Sequence, residues 1–449
     1  LALAEGSGLE LDAYAALTAH GDEERVRGAL DELAFTQILR GEGAHYAFHA
    51  QVWANELCDA LTPARTQTLC GRVAVALSQR GRDPLEVAGY LWRAGQKART
   101  VETVLAELSH GSRWDRAPRD YGELLRNAVT ASAERKQSPR ERFTLLRELV
   151  KVGIDLAVPD MHRHLAALFA QLRLDTGLVD FEALDPSRPP LERLQQALGQ
   201  AQERHAAAAD NERGLSPIEA VTALAWVSAE TAAFAAQTSD ASLFDVMLPL
   251  EPFSALSPSI DRIARLTVPA CRAIVAGRYE QASALYSQSL AAVLQPESAG
   301  TDEATRTWSI RALHYALGCI EAGLGRRQAL SHAQELENAP GWLVPAWSIR
   351  RIYYGTFGNL REAERCRQRI ELLLLQSAVK PPLSAGAAHQ HVYIAALSED
   401  LTGMRRAIPE MEALAVFHPG FRPFVPFARA DHARICGSYD ESLVKLPPA

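Results

Sequence analysis

Hydrophobic positions three and four residues apart recur along this chain and predict successive helices from about residue 83 onward. Three helix starts combine a capping side chain, a proline at the first helical position and a glutamate three residues after the cap. They are Asp83-Pro84-Leu85-Glu86, Ser138-Pro139-Arg140-Glu141 and Ser216-Pro217-Ile218-Glu219. Apolar residues cover nearly every face from Ile218 to Gln237, so other elements are expected to enclose this helix on several sides.

A helix-turn-helix unit is predicted over Cys271–Leu290, because small and aromatic residues stand where two packed helices need them. Gly277 is expected to end the first helix, Ala282 to let the two helices approach, and Tyr286 to fill the space between them. Pro269 lies inside the first helix and is expected to kink it, since proline removes a hydrogen bond and clashes one turn back.

Similar turn signals return at Gly358, 81 residues after Gly277, and at Gly437, a further 79 residues on. Each interval is about two periods of a helical repeat. Intermediate turns are therefore expected near residues 325 and 400. Gly325 provides the first, and a degenerate signal around Asp400 provides the second. The units are similar to tetratricopeptide-type repeats, whose stacking would create a superhelical groove.

The first 80 residues have a mixed pattern. A short helix over Leu11–Leu17 precedes a second helix capped by Asp22, and a further helix is predicted from Val52. Between them, two runs of β-branched and aromatic residues flank a glycine-containing turn and predict a hairpin, with arms Phe35–Arg40 and Ala44–Phe48. This is the order of a winged helix. Acidic side chains in the second helix would repel phosphates, which favours packing on another domain over DNA binding.

Five short motifs between about residues 10 and 110 carry a resemblance to a known family. They are Leu30-Asp31-Glu32-Leu33, Tyr46-Ala47-Phe48-His49, Leu61-Thr62-Pro63-Ala64-Arg65, the run from Arg72 to Leu77, and the run from Asp83 to Gly95. This series is similar to the winged-helix and arm segment of STAND-type signal-transduction ATPases, which include maltose-activator-like and kinase-linked bacterial regulators. In that family a nucleotide-binding switch precedes this segment and a tetratricopeptide-type superhelix follows it. The resemblance therefore implies an upstream nucleotide-binding domain in a longer chain.

The match departs from the family after the hairpin. The family has Phe-x-His-Asp there, whereas Ala50 and Gln51 stand where the His and Asp would fall. His49 is kept as a candidate contact for the domain switch, and a structural role is the alternative.

Composition adds limits to this picture. At 449 residues the chain is expected to form more than one unit, and its net charge of −7 gives no overall signal for nucleic acid or an anionic membrane. Dispersed cysteines without a Cys-x-x-Cys pair are typical of reduced, buried thiols. Without a signal peptide or an unbroken run of 18 apolar residues, a soluble cytoplasmic protein is expected. Because the first methionine is Met161, we expect the sequence to be part of a longer one.

Sequence motifs for catalysis and metal binding were also sought. The chain has no Gly-Lys dipeptide and therefore no phosphate-binding loop, and neither His-Glu-x-x-His nor Gly-x-Ser-x-Gly occurs. The histidine pairs His162/His164 and His389/His391 would point to different faces of a helix, which disfavours metal binding. No catalytic, cofactor-binding or metal-binding residue is therefore assigned.

Aromatic and arginine side chains on the repeat helices are the candidates for binding. One interpretation is that they pack between repeats or are solvated. The other is that they line a groove for a protein, a peptide or a small effector, with the arginines receiving an anionic group. The candidate groove residues are Arg311, Tyr315, Trp342, Trp347, Arg350, Arg351 and Tyr354.

We therefore expect an all-α protein with a winged-helix-like module over 1–80, a helical arm over 81–257 and tetratricopeptide-like repeats over 258–449. The expected function is that of a non-catalytic sensor region, which binds a protein or small effector in a superhelical groove and controls a nucleotide switch. A constitutive protein–protein scaffold and an enzyme with dispersed catalytic residues remain as alternatives.

Overall fold

A computed structural model describes residues 9–10, 22–42, 45–49, 60–109, 121–134, 138–156, 161–210, 212–295, 303–339, 341–376 and 385–445. The expected helices over Leu11–Leu17 and from Val52 lie outside these ranges. The described part is about 81% helical, which confirms the all-α prediction. The chain divides into two compact units, Leu1–Lys136 and Gln137–Ala449.

The first unit combines a small sheet with helices. In chain order its described elements are β1 (Leu9–Glu10), α1 (Glu23–Phe35), β2 (Leu39–Glu42), β3 (His45–Phe48), α2 (Pro63–Gln79), α3 (Pro84–Arg93), α4 (Lys97–Ser109) and α5 (Tyr121–Glu134). As expected, Asp22 caps α1 by accepting a hydrogen bond from the backbone N–H of Arg25 at 3.2 Å.

The predicted hairpin is present but shorter than the sequence pattern suggests. Strand β2 begins at Leu39, which pairs with Phe48, and Phe35 is instead the last residue of α1 with its side chain 90% exposed. The helix ends in a turn where Gln37 has φ 59°, so the preceding residues cannot extend the strand. Strand β1, which the pattern did not predict, pairs antiparallel with β3 and gives the order β1-β3-β2.

Helices α2 and α3 share one hydrophobic cluster, so the predicted boundary at residues 80 and 81 falls inside a packed unit. Leu77 of α2 packs with Val87 and Leu91 of α3 in this cluster. Asp83 starts α3 by accepting a hydrogen bond from the backbone N–H of Leu85 at 2.9 Å.

The second unit begins with five helices. They are α6 (Pro139–Leu156), α7 (Met161–Asp175), α8 (Leu178–Ala183), α9 (Pro190–Ala207) and α10 (Pro217–Thr238). The predicted capping boxes at the starts of α6 and α10 are both formed. Ser138 accepts from the N–H of Glu141, whose carboxylate accepts from the N–H of Ser138, and Ser216 and Glu219 repeat this arrangement.

Two short 3₁₀ segments lead to α11 (Pro258–Arg262), and then five helix pairs follow, which we call hairpins 1 to 5. Hairpin 1 is α12 (Val268–Val275) with α13 (Tyr279–Leu294), and hairpin 2 is α14 (Glu303–Gly323) with α15 (Gln328–Glu337). Hairpin 3 is α16 (Leu343–Thr356) with α17 (Leu360–Gln376), and hairpin 4 is α18 (Ala385–Leu397) with α19 (Leu401–Phe417). Hairpin 5 is α20 (Phe424–Ile435) with α21 (Tyr439–Lys445).

The five hairpins turn in the same way. In each, one residue with positive φ donates its N–H to the carbonyl three residues earlier, and the next N–H donates five residues back. This is the Schellman motif. The expected turn near residue 400 is formed by Glu399 at φ 52°, and the missing glycine explains why its sequence signal was degenerate. The other four positions are Gly277, Gly325, Gly358 and Gly437.

Hairpin 1 packs as the sequence pattern predicts. Ala282 is fully buried, and the hydroxyl of buried Tyr286 lies 2.9 Å from Sγ of Cys271 across the helix pair. Where the sequence predicts a kink at Pro269, the structure has a π-helical segment just before it, Ile263–Thr267. In this segment the N–H of Val268 donates to the carbonyl of Ile263, five residues back, and Pro269 has no N–H to continue the pattern.

The turns give a direct test. An added Cβ at Gly358 would meet no atom within 4 Å, so Gly358→Ala should destabilise by about 1 kcal/mol through backbone strain alone. Glu399→Gly should stabilise by a similar amount, because glycine relieves that strain. Free energies of unfolding in urea would measure both changes.

Gly199→Ala is the matched control. An added Cβ there is equally unobstructed, but the residue lies inside α9, so alanine should raise stability by about 0.5–1 kcal/mol. Equal stability of Gly358→Ala and the wild type would contradict the turn assignment.

Candidate functional site

Helix α10 is the most enclosed long helix of the second unit. It has 22 residues, and 13 of them are buried on all sides of the helix, as its apolar pattern predicts. By length and composition it could cross a membrane, but 61% of its most apolar window is buried inside the protein. This degree of burial is that of a core helix.

Elements from both parts of the second unit cover α10. The early helices α6, α7 and α9 pack against it, and so do α12 of hairpin 1 and α18 of hairpin 4. Since 22 helical residues span about 33 Å, one helix reaches both hairpins. The first helices of hairpins 1 and 4 therefore both contact α10.

Hairpin 2 also reaches α10. Trp226 of α10 and Trp308 of α14 meet edge to face, with ring centroids 6.2 Å apart, a geometry that stabilises aromatic pairs. Trp308 stays 47% exposed, so this contact lies at the edge of the buried region.

The end of α10 meets the turn that follows hairpin 4. His418, 3% exposed, packs edge to face on Phe234 with centroids 5.4 Å apart. An added Cβ on Gly420 would lie 2.2 Å from the carbonyl oxygen of Thr238, a distance that no side chain tolerates. Only glycine permits this approach. We call the contact between Thr238–Ser239 and His418–Phe421 the clasp.

Gly420→Ala should open the clasp, because the obstructing atoms are backbone and cannot rotate away. The cost expected for such overpacking is about 1–3 kcal/mol. Calorimetry should show a lower melting temperature for the second unit.

Gly323→Ala, where an added Cβ meets nothing within 4 Å, should leave that temperature within the range of surface substitutions. If Gly420→Ala and Gly323→Ala have the same melting temperature, the close approach at Gly420 does not restrict that position to glycine.

A polar cluster lies beside the clasp. Asp240, which is buried, accepts from Nε2 of His162 at 2.9 Å and from the hydroxyl of Ser242 at 2.6 Å. The hydroxyl lies 3.4 Å from the same Nε2. A serine nucleophile needs its histidine to contact the carboxylate through the other ring nitrogen. Here the Nε2 proton goes to Asp240, so His162 cannot act as a base for Ser242.

A single charged side chain interrupts α10 between Ala220 and Thr238: Glu230. Burial raises its pKa to about 7, although Arg147 and Lys151 of α6 partly oppose the shift. Its Oε2 atom has no hydrogen-bond partner among the described residues. The group therefore changes charge near neutral pH.

Glu230 should make stability depend on pH. Below pH 4.5 the Glu230 carboxyl is protonated in both the folded and the unfolded protein. Its favourable contribution to the free energy of unfolding is then complete. Between pH 4.5 and 7 the unfolded chain ionises first, so stability falls by up to about 3 kcal/mol as pH rises. Glu230→Gln should remove this fall and be more stable than the wild type at pH 8, with little difference at pH 4.5.

Unfolding free energies across this pH range would measure the effect. Exposed Glu203 on α9 provides the control, since Glu203→Gln should follow the wild-type curve. A Glu230→Gln curve parallel to the wild type would contradict the buried carboxylate.

Three of the predicted groove residues pack together on one hydrophobic core. Tyr315, Trp342 and Tyr354 are partly buried and pack on the core of hairpins 2 and 3, around Leu336 and Ile349. These three side chains fill space between helices, which is the packing interpretation of the aromatic series.

The neighbouring arginines Arg350 and Arg351 point to different partners. Arg350 donates through Nε to Glu337 at 2.8 Å, and its guanidinium lies 5.8 Å from the ring centre of Trp347. Arg351 is influenced by charges on α17 and itself lowers the pKa of His391 on α18. Consecutive residues on a helix point in different directions, so Arg350 is directed to hairpin 2 and Arg351 to the joint with hairpin 4.

The remaining candidates lie elsewhere. Arg311 is partly exposed on α14, three residues after Trp308. His49 belongs to the first unit, where it follows β3 with an exposed side chain, and its backbone N–H donates to the carbonyl of Ile38 at 2.9 Å.

Three residues of interest were missed by sequence reasoning. Glu230 had a signal, as the one charge in an apolar stretch. Gly420 had none, because only the tertiary fold brings it to Thr238. His391 was considered only as half of a disfavoured metal pair, and its interaction with Arg351 depends on the tertiary fold.

Among the described residues, no group of three or more His, Cys, Asp or Glu side chains is arranged to hold a metal ion. No protein-family model matches the chain, and no curated protein matches it.

Proposed function

We propose that the chain is the non-catalytic sensor region of a multidomain STAND-type signalling ATPase. Its hairpins would bind a protein or small effector and thereby control a nucleotide-binding domain upstream in the same full-length protein. The observation that carries the proposal is that hairpins 1 and 4 both pack on α10. A change in the curvature of the array must then change its contact with α10.

The tetratricopeptide assignment belongs to this proposal. It is supported by the paired helices, by the shared turn geometry and by the small buried residues Ala282, Ala329 and Ala363 near the start of the second helix in hairpins 1 to 3. The winged-helix assignment of the first unit rests on the resemblance and on the small sheet beside α1.

The mechanism would be a two-state equilibrium of the clasp. An effector that binds one arrangement of hairpins 3 and 4 more tightly shifts the population toward that arrangement. Loss of the clasp contacts, or ionisation of Glu230, would change the free-energy difference between the two arrangements. We place this equilibrium in the cytoplasm, without a membrane or nucleic acid contact through this region.

A constitutive scaffold is the second candidate, favoured by the deep burial of α10, which would fix the curvature of the array. Against an enzyme, Ser242, His162 and Asp240 form a serine–histidine–aspartate group among the described residues, but the histidine contacts the carboxylate through Nε2, the wrong ring nitrogen for a catalytic triad.

Hydrogen exchange on the whole chain would separate these functions. Bacterial cytosol, divided into macromolecular and small-molecule fractions, would be added to the wild type and to Gly420→Ala. We expect one of the two fractions to change the rate of amide hydrogen exchange in α10 and in His418–Phe421. The change should occur in the wild type only, because the clasp of Gly420→Ala is already open.

Binding without any exchange change at the clasp would favour the scaffold and contradict the switch. Consumption of a small molecule from the fraction would indicate an enzyme.

A further inference from the structure

Arg351 is a partly buried cation of hairpin 3. It extends from α16 toward α17 and α18, and burial lowers its pKa, with the charge of Arg367 adding to the effect. Among the described residues no acceptor lies within hydrogen-bonding distance of its guanidinium. An arginine carries five N–H donors, and donors without a protein acceptor are available to a bound anion.

The nearest carboxylates are already used by another arginine. Arg367 donates to both oxygens of Glu364, at 2.6 and 2.7 Å, and also to Glu371. Glu364 and Glu371 attract Arg351 only through space. They reduce the cost of burying its charge, but they do not satisfy its donors.

The other groups that face Arg351 are neutral near pH 7. Burial raises the pKa of Cys366 to about 11, so its thiol stays protonated. Burial and the charges of Arg351 and Arg367 lower the pKa of His391 to about 4. Nδ1 of His391 lies 3.4 Å from the carboxylate of Glu410, which leaves Nε2 without a partner among the described residues.

We propose that Arg351 binds an oxyanion, a carboxylate or a phosphate carried by the effector, at the joint between hairpins 3 and 4. Both groups present two oxygens at the spacing of a guanidinium fork, and such charge-assisted pairs are the strong ones. His391 lies on α18, which packs against α16, and its Nε2 is the candidate for a second polar contact.

An anion bound to Arg351 would connect two hairpins. A ligand on Arg351 joins α16 of hairpin 3 to α18 of hairpin 4, and α18 packs directly on α10. The two helices are already close here, since an added Cβ on Gly355 would lie 3.2 Å from Ile394. The inference names the ligand chemistry of the proposed sensor, and its regulatory part rests on that proposed function.

Isothermal titration calorimetry of the whole chain would test the site, with sodium phosphate and sodium succinate as probes at constant ionic strength. We expect at least one probe to bind. Arg351→Gln should weaken it by about 10- to 100-fold, the loss typical of a charge-assisted pair, and Arg351→Lys should weaken it less.

Arg350→Gln is the matched control, since it removes the same charge one residue away and should leave affinity unchanged. Phosphate alone binding would indicate a phosphate-bearing effector, and succinate alone a carboxylate. The site is refuted if neither probe binds, or if Arg350→Gln and Arg351→Gln weaken binding equally.

Hydrogen exchange at the clasp in the presence of the bound probe separates the two proposals. Binding through Arg351 without a change at the clasp supports the anion site and contradicts the switch.

Discussion

Burial of α10 is the constraint on which the second unit depends. A helix that is apolar on all faces leaves a large unfavourable surface in water unless other elements surround it, and burying each large side chain contributes about 1.5–3 kcal/mol. The early helices can cover only part of this surface, and the hairpins cover the rest. The curvature of the hairpin array is therefore set by a helix that precedes it in the chain.

The same helix has features that weaken its packing. Ser228, Glu230 and Thr231 each bury an oxygen without a hydrogen-bond partner among the described residues, and such atoms cost free energy. A core built only for stability would carry apolar side chains there. These polar positions therefore lower the stability that the packing of α10 provides.

Local patterns in the sequence predicted local structure well. The capping boxes at Ser138 and Ser216, the glycine turns and the enclosure of α10 follow from interactions within a few residues or from one helix's composition. The approach of Gly420 to Thr238 depends on distant segments, and no short-range pattern encodes it. The groove prediction placed Arg350 and Arg351 together. Consecutive helical residues point about 100° apart, and Arg350 pairs with Glu337 of hairpin 2 whereas Arg351 is influenced by charges on α17 of its own hairpin.

Denaturant-dependent hydrogen exchange of the unliganded chain tests most directly whether α10 is the axis of the second unit. The amides of buried positions such as Leu224 and Thr231 should exchange only through global unfolding of that unit, together with the first helices of hairpins 1 and 4. Exchange of these amides at the rate of the more exposed α9, while the hairpins remain protected, would contradict this account.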